Sequence, residues 1–316
     1  MPCFAIDSKQ EDDKDGLKTP GRDNTFRDLL STVYLMRLNP NTNDACGMLL
    51  TMKSPTEIEQ PIRHTFRNLS LVPNLAHGVF TRHGGVSRQP YATLNAAWNN
   101  GDAPESVREN LLRVKSAIGV EQLAASYQTH GDTIHVVDED CLARATVRQP
   151  VLLTSPGDIL VTRLRGVGLL IKIADCQAIF LVDPVQEVIA NVHCGWRGSA
   201  MDVPAKVVAF LCDQFGSRPK DILAGISPSL GPCCAEFRNY AEELPTSLWS
   251  FQTKSSYFDF WAITRWQLMR AGLRPDRIEV ANRCTVCESR DFFSYRGEKT
   301  TGRNAAVLAW RKNSEE

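Results

Sequence analysis

The sequence lacks an excess of charge of either sign. Its 36 Lys and Arg residues are matched by 36 Asp and Glu residues, so the net charge at pH 7 is zero. A protein that holds nucleic acid through the phosphates needs a basic surplus, so we expect no nucleic-acid partner. No apolar run approaches the ~18 residues of a membrane span, and the charged N-terminus is unlike a secretory signal. We expect a cytoplasmic protein without a membrane partner, and nothing in the sequence demands more than a monomer.

The motifs of several common enzyme classes are also missing. The chain has no GxGxxG, no GxxxxGK[ST] and no GxSxG, which are the signatures of dinucleotide-binding, P-loop and α/β-hydrolase sites. Histidine is scarce, with six residues, whereas there are ten cysteines. Disulfide frameworks belong to short secreted chains, so we interpret most of these thiols as reduced core residues.

Composition divides the chain into unequal parts. Residues 1–68 are polar and turn-rich, and no apolar period persists in them, which is typical of a flexible extension. One short helix is predicted within it, at residues 26–36. Residues 69–312 carry the apolar segments and are predicted to form the globular domain, followed by a tail at 313–316.

Strand and helix patterns interleave irregularly in the predicted domain. The apolar runs Ala178–Val182 and Glu187–Val192 flank a turn at Asp183-Pro184, which predicts a central β-hairpin. Apolar residues at helical spacing predict helices at Glu105–Ile118, Met201–Phe215 and Tyr257–Ala271. The pattern favours the α/β class: a single domain with a mixed β-sheet, containing a central hairpin and flanked by helices.

Three potential metal ligands stand at predicted strand ends. They are His130 in Gln-Thr-His-Gly-Asp, Cys176 in Ala-Asp-Cys-Gln and His193 in Asn-Val-His-Cys-Gly. Strand ends can converge on one point, and two His with one Cys suit Zn²⁺, or Cu²⁺, with the fourth position left for water. Since adjacent strand residues point to opposite faces, Cys194 is expected to face the core if His193 faces the site.

The same residues admit other interpretations. The three side chains could be unrelated, or they could form a metal-binding module without catalysis. Alternatively, Cys176 would be the nucleophile and His193 the base of a metal-free cysteine hydrolase.

Other motifs carry weaker signals. Arg197 lies in a glycine-flanked turn before a helix predicted to begin near Ser199, and a guanidinium beside free N–H groups suits phosphate. Cys284 and Cys287 have CxxC spacing, but no second CxxC accompanies them, so we expect no four-cysteine zinc ribbon. The adjacent Cys233 and Cys234 are interpreted as packing residues.

These motifs, taken in order, resemble the laccase-domain family, also called the multicopper polyphenol oxidase family. The resemblance extends over about Gly78–Trp310 and includes Thr81–Ser87, Gln128–Gly131, Ala174–Cys176, His193–Gly198, Gly231–Cys234, Phe292–Arg296 and Thr301–Arg303. It implies a zinc-dependent purine nucleoside phosphorylase, acting on adenosine, inosine and methylthioadenosine with phosphate, that also deaminates adenosine. It also implies metal ligands at His130, Cys176 and His193.

Further roles follow from combining the resemblance with the residue chemistry. Asp175 and Asp132 are the candidates for proton transfer, and Arg197 with Arg82 would hold phosphate. Asn95 and Ser227 would bind the sugar. The chain has Asn99 where the family often has His, so any role of that His is absent or changed here. A true multicopper oxidase is excluded, because a blue-copper site with its trinuclear cluster needs more histidines than the six present.

Overall fold

Two mixed β-sheets packed face to face form the centre of the protein, whose structure is a computed structural model describing residues 60–312. The predicted helix at 26–36 and the predicted tail at 313–316 lie outside the described residues. The α/β class, with mixed sheets flanked by helices, is confirmed. The division into two sheets was not predicted.

The strands, numbered in chain order, are β1 (Arg63–His64), β2 (Leu75–Phe80), β3 (Gln122–Ala125), β4 (Ile134–Val136), β5 (Thr146–Arg148), β6 (Val151–Leu153), β7 (Ile159–Thr162), β8 (Val167–Ile173), β9 (Gln177–Asp183), β10 (Val188–Cys194), β11 (Leu223–Ile226), β12 (Gln252–Lys254), β13 (Tyr257–Phe258), β14 (Ile278–Val280) and β15 (Asn304–Trp310). One sheet has the order β1-β2-β15-β8-β3-β6-β5 and the other β14-β11-β9-β10-β7-β4, while β12 and β13 pair separately.

The α-helices are α1 (Arg67–Ser70), α2 (Pro104–Ile118), α3 (Glu139–Arg144), α4 (Trp196–Ala200), α5 (Val203–Phe215), α6 (Tyr240–Glu243), α7 (Phe260–Arg270) and α8 (Tyr295–Glu298). Short 3-10 helices lie at Pro219–Asp221, Thr246–Phe251 and Pro275–Arg277. None of the helices in residues 60–312 is long and apolar enough to cross a bilayer.

Apolar side chains hold the layers together. Ile171 of β8 and Phe180 of β9 belong to the buried cluster between the two sheets. On the outer face of the six-stranded sheet, Val207 of α5 and Leu268 of α7 pack against the strands. Leu111 of α2 covers the outer face of the seven-stranded sheet. Strands β9 and β10 are buried along their whole length. Because both of their faces are covered, their sequences are nearly continuous apolar runs.

The predicted central hairpin is confirmed and brings two candidate residues to one edge. Strands β9 and β10 pair in antiparallel register from Val188↔Asp183 to Cys194↔Gln177. Cys176 immediately precedes β9, and His193 is the penultimate residue of β10. Both therefore lie at the open end of the hairpin, opposite its turn.

Two predicted helices have different boundaries in the structure. The helix predicted over Tyr257–Ala271 begins at Phe260, because the Asp259 side chain caps the Ala262 N–H and the two preceding residues pair as β13. The helix predicted from Met201 is preceded by the separate helix α4, and the break falls at Asp202, whose φ of 58° is left-handed. The expected helix start near Ser199 is thus inside α4, not at its beginning.

The chain joins the fold earlier than residue 69. Arg63 and His64 pair with β2, and the Phe66 side chain is fully buried between the sheets. The polar neighbours of Phe66 conceal this contribution in the sequence, so the predicted extension includes several residues that belong to the domain.

Candidate metal centre and active site

Three side chains from separate parts of the chain meet at the open end of the β9–β10 hairpin. One ligand atom from each of His130, Cys176 and His193 lies within 4.8 Å of the others. The loop before β4 carries His130, whose φ of 62° is left-handed, and the two imidazole centroids are 4.9 Å apart. The three side chains therefore lie close together, as expected from their positions at strand ends.

The buried carboxylate of Asp158 positions both histidines. Its Oδ1 accepts hydrogen bonds from His130 N at 2.9 Å and from His193 Nδ1 at 2.7 Å. Its Oδ2 accepts from the backbone N–H groups of Thr129 and Gly131, both at 2.9 Å, and from the Thr129 hydroxyl at 2.8 Å. With Nδ1 directed at Asp158, His193 presents Nε2 toward Cys176. A carboxylate behind a metal-ligating imidazole is the usual arrangement in metal sites.

The neighbouring charges in this cluster favour the ionised forms of Cys176, His193 and Asp158. Burial opposes ionisation of Cys176, but the charge of His193 and hydrogen bonds from both histidines outweigh it and lower the pKa of the thiol. Burial likewise opposes the imidazolium of His193, yet Cys176 and Asp158 raise its pKa. The pKa of Asp158 stays well below its usual value despite burial, owing chiefly to the His193 hydrogen bond. Cys176 is thus disposed to be the thiolate, which is the form that binds metal.

The space around the cluster suits a metal ion. A Cβ built at Gly195 would lie 2.8 Å from Cys176 Sγ and 3.7 Å from His130 Cδ2, so only glycine leaves this volume free. Cys194 points the other way, into the core against α5, as expected from the strand alternation. Two imidazoles and a thiolate form a donor set that fits Zn²⁺ or copper.

The cluster opens into a cavity of about 710 Å³ whose lining is cationic and aromatic. The cationic side chains are Arg148, Lys172, Arg197, Arg296, Lys299 and Arg303, and the aromatic ones are Trp98, Tyr127, Trp196, Phe237, Phe260 and Tyr295. Asp175 is the one carboxylate among the lining residues. A cavity of this composition attracts anions and offers ring faces for stacking.

Asp175 faces the cavity but is tightly anchored. Its Oδ1 accepts from Thr285 Oγ1 at 2.7 Å and from Ser294 Oγ at 2.6 Å, and its Oδ2 accepts from Arg296 N at 2.6 Å. Its φ of 88° is a left-handed conformation. Three fixed donors hold this carboxylate in one orientation, which suits a stationary negative charge better than a mobile proton carrier.

Arg197 lines the cavity, as does Asn99 at the position where the family often has His. The Arg197 guanidinium lies 4.9 Å from the centroid of the Trp196 ring. Helix α4, on which Arg197 lies, has only five residues. Its dipole is therefore small, and Arg197 would contribute mainly through its own charge.

Two charged candidates lie away from this cavity. Asp132 forms an exposed ion pair with Lys206, at 2.5 Å between Oδ2 and Nζ. Arg82 is buried, and its Nη1 donates to Glu298 Oε1 and to Ser289 O, each at 2.7 Å. Neither lines the cavity, so the structure does not support a proton-transfer role for Asp132 or a phosphate contact by Arg82.

The two candidates for sugar binding are also engaged elsewhere. Asn95 is fully buried and bonds to Asp102, Asn100 and Ala97. The buried Ser227 hydroxyl accepts from Ala178 N at 2.9 Å. Both residues therefore stabilise the loops and the sheet around the cavity. The structure does not support the predicted sugar contacts.

Several cavity residues were missed in the sequence. Lys172 is the penultimate residue of β8 and donates to Ser126 O at 3.0 Å, while Arg303 lies just before β15. A lone charge in an apolar strand, as at Lys172, is a usable signal because unpaired Lys is rarely buried. Asp158 stood beside an apolar run, but nothing local indicated that it faces two histidines.

The face-to-face sheets and the site at their edge define a known structural class. The crystal structure of YlmD from Geobacillus stearothermophilus is similar at a TM-score of 0.70 with 29% identity, covering 81% of this chain and 98% of that chain. A Bacillus licheniformis protein named YfiH is similar at a TM-score of 0.69 with 28% identity, covering 75% and 93% of the two chains.

The chain belongs to the family described as multi-copper polyphenol oxidoreductase laccase, whose family model matches residues 76–311. The resemblance noted in the sequence is confirmed. A relative from Geobacillus stearothermophilus named purine nucleoside phosphorylase YlmD is 33% identical over 248 residues, or 74% of this chain and 90% of its own. One from Bacteroides thetaiotaomicron named purine nucleoside phosphorylase is 30% identical over 243 residues, or 73% and 89%.

Proposed function

We propose that this protein is a metal-dependent purine nucleoside phosphorylase. In this reaction a phosphate oxygen bonds to C1′ of the ribose while the C1′–N bond breaks. The bonding electrons leave with the base, which takes up a proton, and ribose 1-phosphate forms. The observation that carries the proposal is that one cavity joins His130, Cys176 and His193 to a cationic and aromatic lining. The names of the relatives support the same activity.

The metal would be held by His130, Cys176 and His193, with Asp158 fixing the His193 imidazole and the backbone of the loop that carries His130. We propose Zn²⁺, with copper as the alternative, because both suit a donor set of nitrogen and sulfur. When bound, such an ion supplies Lewis acidity toward an oxygen or nitrogen of the substrate.

The chain's own residues account for binding. Lys172, Arg303 and Arg197 place positive charge in the cavity, where a phosphate dianion would be held by charge-assisted hydrogen bonds. The rings of Trp98 and Phe237 supply apolar faces on which a planar purine can stack. Binding of both substrates in one cavity would provide the orientation that a displacement at C1′ requires.

Asp175 would act through its fixed charge. Cleavage of a glycosidic bond develops positive charge on the ribose, and a preorganised carboxylate stabilises that charge without reorganising. The three donors that hold Asp175 provide this preorganisation. We assign it this electrostatic role in place of the proton transfer suggested by its sequence position.

We propose adenosine deamination as a second activity of this site, and cysteine hydrolysis is the alternative function. Deamination would use the same donor set and cavity, with water in place of phosphate. The hydrolase alternative is favoured by one observation, the chain of contacts from Asp158 through His193 to Cys176, which is the arrangement of an activated thiol. In that case removal of metal would leave activity intact.

The test is to incubate metal-replete protein with inosine or adenosine, with and without phosphate, and to follow free base, ribose 1-phosphate and inosine. We expect hypoxanthine and ribose 1-phosphate from inosine only when phosphate is present. Inosine formed from adenosine without phosphate would add the deaminase. A chelator and Cys176→Ala should each abolish phosphorolysis, whereas Cys212→Ser, on a half-exposed thiol of α5, should not. No product from the metal-replete protein would contradict the proposal.

A further inference from the structure

Four free thiols form a second cluster, separate from the His130, Cys176 and His193 set. The sulfur atoms of Cys233, Cys234, Cys284 and Cys287 all lie within 4.8 Å of one another. Cys287 Sγ is 3.4 Å from Cys233 Sγ and 3.6 Å from Cys234 Sγ. The fold thus brings together the CxxC motif and the adjacent cysteine pair, which lie far apart in the sequence.

We propose that these four cysteines hold a structural Zn²⁺ ion. With Zn–S bonds of about 2.3 Å, the sulfur–sulfur edge of a regular tetrahedron is about 3.8 Å. The separations at Cys287 are close to that edge. Four thiolates around one ion form the closed donor set of structural zinc sites, and tetrahedral sulfur coordination selects zinc over the harder divalent cations.

The local backbone matches such a site. The turn after Ser229 begins at Gly231, whose N–H donates to Cys284 Sγ at 3.4 Å. Groups that ligate a metal are commonly held by such hydrogen bonds. The two cysteine segments are already aligned, because Ser229 and Cys284 form a parallel β-bridge. Cys233 and Cys287 are exposed, so an ion can enter from solvent without unfolding the domain.

The cluster lies directly behind the anchor of Asp175. Thr285, next to Cys284, donates its hydroxyl to Asp175, and Arg296, whose N–H also holds Asp175, donates from Nη1 to Cys234 O at 3.3 Å. An ion here would join the 231–237 turn to the 284–296 segment. Its structural role would be to fix the two loops that orient Asp175 in the cavity wall.

The prediction from sequence that the chain forms no four-cysteine zinc ribbon depends on the absence of a second CxxC. Ligands need not come in that spacing, because two adjacent residues in a tight turn can direct both side chains to the same side. Cys234 N donates to Gly231 O at 2.9 Å and closes such a turn. The four sulfur atoms lie together without a second CxxC, so its absence does not exclude a four-cysteine site.

The experiment is metal analysis of the full-length chain, purified under reducing conditions and dialysed against metal-free buffer. Four forms are compared: the natural chain, Cys176→Ala, the Cys233→Ser/Cys287→Ser double variant and Cys141→Ser. We expect one zinc per chain to remain in Cys176→Ala, and the double variant to hold one zinc fewer than the natural chain. Cys141→Ser removes a half-exposed thiol of α3 and should leave the zinc content unchanged.

The same question can be answered without relying on the double variant, which would lose stability if the ion is structural. X-ray absorption on zinc-loaded Cys176→Ala should show only sulfur neighbours, at about 2.3 Å, and cobalt substitution should give the intense charge-transfer bands of a tetrahedral thiolate site. Nitrogen neighbours, or no zinc in Cys176→Ala while all four thiols are reduced, would overturn the proposal. So would a Cys233–Cys287 disulfide found by non-reducing peptide mapping of fresh protein.

Discussion

A single oxygen of Asp158 contacts both histidines of the candidate centre: Oδ1 is 2.9 Å from His130 N and 2.7 Å from His193 Nδ1. The first contact fixes the loop that carries one imidazole, and the second fixes the tautomer of the other. The geometry of the donor set therefore depends on a residue that does not itself face Cys176.

Asp158→Asn should lower the affinity for metal while the domain still folds. An amide would turn N–H groups toward the N–H donors of Thr129 or Gly131 and would lose the charge behind His193. Loss of such a partner typically lowers metal affinity 10- to 100-fold, and we expect that loss in a competition titration against a chromophoric chelator. The matched control is Asp183→Asn, a buried carboxylate at the turn of the hairpin that accepts from Val185 N and Gln186 N. Equal metal affinity in the two variants would refute the role of Asp158.

Gly195→Ala should remove the metal while the domain still folds. The new Cβ would lie 2.8 Å from Cys176 Sγ, so the thiolate must move away from the imidazoles. We expect loss of bound metal by elemental analysis and little change in the unfolding midpoint. Gly216→Ala provides the opposite case, because its Cβ meets no atom within 4 Å but its φ of +71° strains any side chain. It should cost about 1 kcal/mol of stability and retain the metal.

The hairpin that positions Cys176 and His193 was predictable because its signals are local. Two apolar runs and an Asp-Pro turn define it, and the pairing register then follows. Alternation along β10 also predicted the burial of Cys194. The side chains at the open end could therefore be proposed as neighbours from sequence alone.

The remaining site features depend on contacts between distant segments. Asp158 meets His193 because β7 pairs with β10, with Ile159 opposite Val192, and no sequence period encodes that pairing. The division into two sheets has the same cause. Conversely, the family motif around Arg82 suggests a phosphate contact, whereas in the structure Arg82 forms an ion pair with Glu298.

Ser227→Ala should reduce stability without affecting substrate affinity. The hydroxyl accepts from Ala178 N at 2.9 Å and donates to Pro228 O at 2.9 Å, and its residue is fully buried. Its removal leaves a buried N–H without a partner, which costs about 1–3 kcal/mol. We expect a lower denaturation midpoint with an unchanged KM for nucleoside. A raised KM with unchanged stability would instead restore the sugar-binding role suggested by the sequence.

Lys172→Met should test the proposal that the Lys172 charge helps the cavity to hold phosphate. Burial, and secondarily the charge of Arg148, lowers the pKa of Lys172 to about 8, so its ammonium is present below pH 8 and is lost above it. The natural protein should bind phosphate more weakly as the pH rises through 8. The variant should have a higher KM for phosphate at pH 7 and a flatter dependence across that range. Lys206→Met, which removes the exposed partner of Asp132, should leave both properties unchanged.

Lys172→Met should increase the stability of the fold, although it weakens phosphate binding. Folding lowers the pKa of Lys172 from 10.5 to about 8, so burying its ammonium destabilises the folded state. The full destabilisation is present below pH 8, and it disappears as the pH rises toward 10.5. Lys172→Met should therefore raise the unfolding midpoint at pH 7, and the difference should shrink between pH 8 and 10.5. A gain in stability together with a loss of phosphate affinity would identify Lys172 as a residue retained for binding. A variant that is both less stable and unaltered in KM would show that the side chain only supports the Ser126 loop.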